Sequence, residues 1–116
     1  MVEITVREYL LQQLRNVPVY LDTPPDPADE YVSIEQVGSS RNNMINTYRL
    51  AVQSYGRRKY TAAVLNDRVK SIMLRGLSEL DEIGSVRLES DYDYTDTETK
   101  RYRYQAVFNV VYYDGY

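Results

Sequence analysis

The side chains able to do chemistry in this sequence are few, and their types narrow the options before any fold is considered. An acidic run, Asp91, Asp93, Asp96 and Glu98, offers the oxygen donors that hard cations such as calcium take. It lacks the glycine and ligand spacing of a calcium-binding helix-loop-helix, so a solvated hairpin tip is the better reading. As a catalytic carboxylate pair the run is weaker still. Alternate residues on a tip have no apolar pocket to drive two pKa values apart. Arg57, Arg58 and Lys59, beside Tyr55 and Tyr60, form a basic and aromatic group of the kind that holds single-stranded nucleic acid. Three cations in a chain of net charge −3 leave a small electrostatic footprint, and neither a helix-turn-helix nor the aromatic strand motif of RNA-binding domains is legible. Gly38, Ser39 and Ser40 have the composition of a phosphate loop. They precede a strand-like stretch, however, and no Gly-Lys-Ser/Thr occurs.

What is missing decides more. The 116 residues include no histidine and no cysteine. Imidazole bases, thiolate nucleophiles, disulfides and ordinary transition-metal sites are thereby removed together, so no catalytic, cofactor-binding or metal residue is expected and the chain reads as a binding protein, not an enzyme. Fourteen basic against 17 acidic side chains argue against a surface built to hold phosphate backbones. No stretch approaches the roughly 20 apolar residues that span a bilayer, and the start lacks the basic flank of a signal peptide, so the expectation is an intracellular protein without a membrane partner. Thirteen tyrosines stand beside one phenylalanine and no tryptophan. Some would pave a half-exposed sheet, where aromatic residues are favoured, and the rest suit a surface that binds protein while staying soluble.

The positioning elements follow from periodicity. Thr5 and Glu8 form a capping box for a helix beginning near Val6, whose stripe of Val6, Tyr9, Leu10, Leu14 and Val17 stops at Pro18. Val17 to Leu21 reads as a short strand and the three-proline stretch from Asp22 to Glu30 as an extended loop. A second strand is expected over residues 31–37, a mobile polar loop over 38–46, and a third strand over 47–55 with Tyr48, Leu50 and Val52 on one face. Thr61 to about Leu80 is the principal helix, with Gly84 as a left-handed cap behind it. A fourth strand from Ser85 to Tyr94, a turn at Asp96 to Glu98, and a fifth strand from Lys100 to Tyr113 complete the chain. The fold class is α+β in the order α-β-β-β-α-β-β: one domain with an antiparallel sheet of four to five strands and both helices on one face.

That succession is similar to a known family. A first helix ending in PVY, a proline-containing loop, a YVSIE strand, a polar loop, an RLAVQSY strand, an Ala-initiated helix and a final RYRYQAVFNVVYY strand resemble the tail terminators of long-tailed bacteriophages over residues 5–113. The resemblance implies a homo-oligomer, a hexameric ring, that caps the tail tube protein, stops its polymerisation and offers a surface to the head-tail connector protein. It implies a place at the head-proximal end of the virion tail, assembly in the host cytoplasm, and DNA met only in passage through the lumen. It carries no catalytic residue and no cofactor. Another neck or tail completion protein, or a small nucleic-acid-binding regulator, is the alternative.

Binding surfaces in that family are defined by region, so the residues here are candidates. They are Arg41, Met44 and Ile45 in the polar loop, Tyr92, Tyr94, Tyr102 and Tyr104 about the hairpin at Asp91 to Lys100, and the edge from Tyr31 to Val37. Arg57, Arg58 and Lys59 precede the positive end of the principal helix, and Glu79, Asp81 and Glu82 crowd its negative end. Both clusters have the sign a lone helix disfavours, and the expectation is that head-to-tail contacts in a ring bring the basic cluster of one subunit against the acidic cluster of the next.

Overall fold

The computed structural model describes residues 1–98 and 101–114; Lys100, at the end of the expected hairpin, lies outside the described residues. Its elements are α1 (Val2–Leu14), β1 (Val19–Tyr20), β2 (Tyr31–Asn42), β3 (Ile45–Gly56), α2 (Lys59–Arg75), a single 3-10 turn (Leu77–Glu79), β4 (Ile83–Asp93) and β5 (Tyr102–Tyr112). The α+β class and the element order are those expected. The strands lie in the order β1-β2-β3-β5-β4. All neighbours are antiparallel except β1, which pairs in parallel with β2 through Val19 and Tyr20, so the sheet is mixed. Because β3 and β4 both oppose β5, they run parallel to each other, and α2 is the crossover that carries the chain from one end of the sheet to the other. The molecule extends 44 × 25 × 25 Å.

One core holds these parts together. Val2, Val6, Leu10 and Leu14 of α1, and Leu65, Val69 and Met73 of α2, pack against Val32, Ile34, Leu50, Val52, Ala106, Phe108 and Val110 of the sheet. The i, i+4 spacing on the helices and the alternation on the strands put each set on one face. Each fully buried side chain of this kind is favoured by about 1.5–3 kcal/mol over its exposed state.

Four sequence expectations are corrected. Helix α1 begins at Val2 and not at Val6, and no side chain caps it. Val2 extends the buried stripe by a turn, and the burial of an apolar side chain outweighs a cap worth about 1 kcal/mol. Thr5 is thus inside the helix, its hydroxyl 3.2 Å from that of Tyr112. The loop expected over 38–46 is mostly strand. Residues Gly38 to Asn42 pair with Arg49 to Ile45 around a two-residue turn, Asn43 and Met44, with φ of 50° and 66°. The expected Thr61–Leu80 helix runs from Lys59 only to Arg75, and Gly76 follows it with φ of −125°. A Cβ on Gly76 would lie 2.0 Å from the Tyr9 hydroxyl, so this glycine is where α1 leans on the end of α2. Gly84 is no helix cap: it lies in β4, where a Cβ would meet Val111 Cγ1 at 2.9 Å.

Candidate interaction surface

The sheet face opposite the helices carries a connected layer of aromatic, amide and guanidinium groups. Alternation along β2, β3 and β5 places Tyr31, Tyr55 and Arg103 side by side, and a short loop-strand brings Tyr20 against them. The Tyr31 and Tyr55 rings stack with centroids 4.3 Å apart, and Tyr20 lies 5.4 Å from Tyr31. The Arg103 guanidinium sits 4.3 Å from the Tyr94 ring and 5.8 Å from that of Tyr55, while Arg101 covers Tyr31 at 5.6 Å. Such cation–ring contacts are each worth about 0.5–1 kcal/mol at exposed positions. Arg103 donates to the Tyr55 hydroxyl at 3.1 Å and to the Tyr94 carbonyl at 2.5 Å. The layer continues as Gln53 Nε2 donates to Gln105 Oε1 at 2.6 Å and Gln105 Nε2 to the Tyr92 hydroxyl at 2.5 Å. Burial raises the Tyr31 phenol above its ordinary value, the nearby Tyr55 adds to this, and Arg101 and Arg103 oppose it.

Further along the same face Arg49 grips Glu89 with two nitrogens, the closest at 2.6 Å. This bond holds the Glu89 carboxyl below its usual range and raises Arg49. On the helix side, Asp91 accepts from Lys70 at 2.5 Å and from Asn66 at 2.7 Å, which raises Lys70. The Thr95 hydroxyl and amide both donate to Asp93 and hold it low. The acidic run is therefore dispersed. Among the described residues no three carboxylates converge as a metal site would need.

No family model matches the chain, and no curated protein does. Among solved structures, a chain of a "Virion of native gene transfer agent (GTA) particle" superposes with a TM-score of 0.72 at 14% identity, covering 96% of this chain and 93% of that one. This chain has the fold of that virion chain.

Most candidate residues lie at the two ends of the long sheet. Met44 occupies the β2–β3 turn, 80% exposed, with Ile45 beside it and Arg41 on the neighbouring strand. Glu79, in the 3-10 turn, with Asp81 and Glu82 after it, stands at that same end, because Ile83 is level with Arg41 through Tyr112 and Asn46. Arg57, Arg58 and Lys59 stand at the opposite end with Tyr94. Helix α2 ends before the acidic cluster and has Arg75 in its last turn, so the conflict of sign expected at that terminus is absent. It persists at the N-terminus, but Arg57 pairs with Asp29 at 2.8 Å and Lys59 with Asp93 at 3.8 Å. The four hairpin tyrosines are not one cluster. Tyr92 and Tyr94 face the aromatic layer, whereas Tyr104 lies opposite Asp93 and Tyr102 opposite Gly56, on the helix side. The edge expected at Tyr31 to Val37 is covered by β1 at Val32 and Ser33, and opens beyond them. Sequence reasoning missed Arg101, Arg103, Gln53 and Gln105, whose signal was the alternation Arg-Tyr-Arg-Tyr-Gln at the start of β5. Among the described residues no helix is long and apolar enough to cross a membrane.

Proposed function

We propose that this chain is a virion structural protein of the tail-terminator kind, whose copies close into a ring that caps the tail tube and receives the head connector. The observation that carries the proposal is the shared fold with a chain of a phage-like particle over nearly the full length of both. The order of sequence patterns, which resembles tail terminators, supports the finer role. So does the placement of charged and apolar groups at two opposite ends of an elongated body, where a stacked ring needs contacts with unlike partners. The work of such a protein is recognition, and nothing in it requires the absent histidine or cysteine.

Negative-stain imaging and mass photometry of the purified chain test the ring, and addition to growing tail tubes tests the cap. Rings seated at one end of tubes of limited length are the expected result. Tubes that elongate equally with and without the chain would remove the terminator role. A salt-sensitive shift of DNA or RNA in place of rings would favour the nucleic-acid regulator.

A further inference from the structure

We infer that successive copies join by sheet extension, the open edge of β4 in one copy pairing antiparallel with the open edge of β2 in the next. This deepens the ring proposed above and rests on it. Two edges are available. Among the described residues, strand β1 covers the outer side of β2 only at Val32 and Ser33, leaving that side open from Glu35 to Asn42, and β4 has β5 on one side and no strand on the other. Unpaired ladders of this length are liabilities that proteins pair, cover or blunt. The topology also sets direction. Since β2 runs antiparallel to β4 within a copy, two copies in the same orientation place β4 antiparallel to the next β2, and the contact is head-to-tail.

Charge fixes the register. The β2 edge carries Glu35 and Arg41, and the β4 edge carries Asp81, just ahead of the strand, and Arg87; none of the four forms an ion pair among the described residues. The interval from 35 to 41 equals that from 81 to 87, and each contains one bulged residue, Val37 and Gly84 respectively. The antiparallel alignment that sets Glu35 against Arg87 therefore also brings Arg41 up to the Leu80–Ile83 turn, which holds Asp81. The faces agree as well. Glu35 and Arg87 stand on the face away from the helices, level with Ala51 and Asn109, while Arg41 stands on the helix side, where Leu80 at the start of the turn packs against the core. In this register Ser85 faces Gly38 of the next copy.

The chain has no native cysteine, so a directed disulfide is unambiguous. Within one copy Gly38 and Ser85 are separated by three strand spacings, about 14 Å, beyond disulfide reach. Full-length G38C and S85C are mixed, oxidised and analysed beside wild-type chain weighed by mass photometry. A mixed covalent dimer, linked through residues 38 and 85, is the expected result. Rings that form without this cross-link overturn the edge pairing and leave the ring standing. A chain that stays monomeric, alone and with tail tubes, overturns both. As a second measurement, R87E weakens association about fivefold per contact and E35R in the same chain restores it. No loss, or a loss that E35R leaves in place, overturns the register.

Discussion

At the scale of single residues, the glycines show how far identity alone misleads. Glycine after a helical stretch reads as a left-handed cap, yet none of the described glycines is used so. A Cβ at Gly56 would lie 2.8 Å from the Ala62 amide nitrogen, where α2 turns back over the end of β3. Gly56→Ala is expected to cost about 1–3 kcal/mol, measured from the urea midpoint. Gly76→Ala should cost less, because the obstructing atom is the far end of the Tyr9 side chain, which can swing aside. Equal losses would mean that Tyr9 is as rigid as backbone. The Arg49–Glu89 pair supplies a second test. Its depressed carboxyl adds stability above the unfolded-state value, about 4.3 for glutamate, and that contribution disappears as pH falls through the folded value. Carboxyl NMR should find Glu89 titrating below the ordinary range, and Arg49→Leu should bring it back up. An unchanged midpoint in that variant would refute the assigned cause.

Among the elements, those with one buried face were legible and those without were not. The stripe of α2 and the alternation of β5 could be read because core and solvent impose different residue types on their two sides. Beyond Ile34, β2 is exposed on both faces, so its polar, small residues carry no period and pass for a loop. The two-residue β1 is too short to show any pattern, and its parallel pairing depends on where α1 delivers the chain. The turn joining β2 to β3 is unusual in chemistry. Met44 holds a left-handed conformation that costs a side-chain-bearing residue about 1–2 kcal/mol, and it exposes a large apolar group besides. Asn-Gly is the sequence such a turn favours. Met44→Gly should therefore raise the melting temperature while weakening attachment to the tube or to neighbouring copies, read by thermal unfolding and by capping of tail tubes. A stabilised variant that caps normally would show that Met44 makes no contact.

For the whole molecule, the sequence shows where charges cluster more readily than what they meet. The clusters at either end of α2 could be named from composition, but pairing of Arg57 with Asp29 and of Lys59 with Asp93 depends on the fold. With two of three bases already engaged, the edge pairing proposed above makes Arg41 of an adjacent copy the better complement to Glu79, Asp81 and Glu82. Replacing the three acids by lysine is expected to reduce ring formation at low salt, and Arg41→Glu in the same chain to restore more of it than glutamates at 57, 58 and 59. Mass photometry at limiting concentration reads both. Greater rescue by the second set would mean that the helix ends meet each other directly.

The bulges at Val37, Gly84 and Glu89 have a consequence for counting. Edges joined head-to-tail contain no number: copies could add indefinitely, and a ring results only when the rotation from one copy to the next divides a full circle. Each bulge bends its strand and tightens the local twist, and all three lie on β4 or on the part of β2 that extends past its pairing with β1. The number of subunits in the ring would then be encoded as an angle, spread over three extra residues, and losing one of them could turn a closed collar into a spiral.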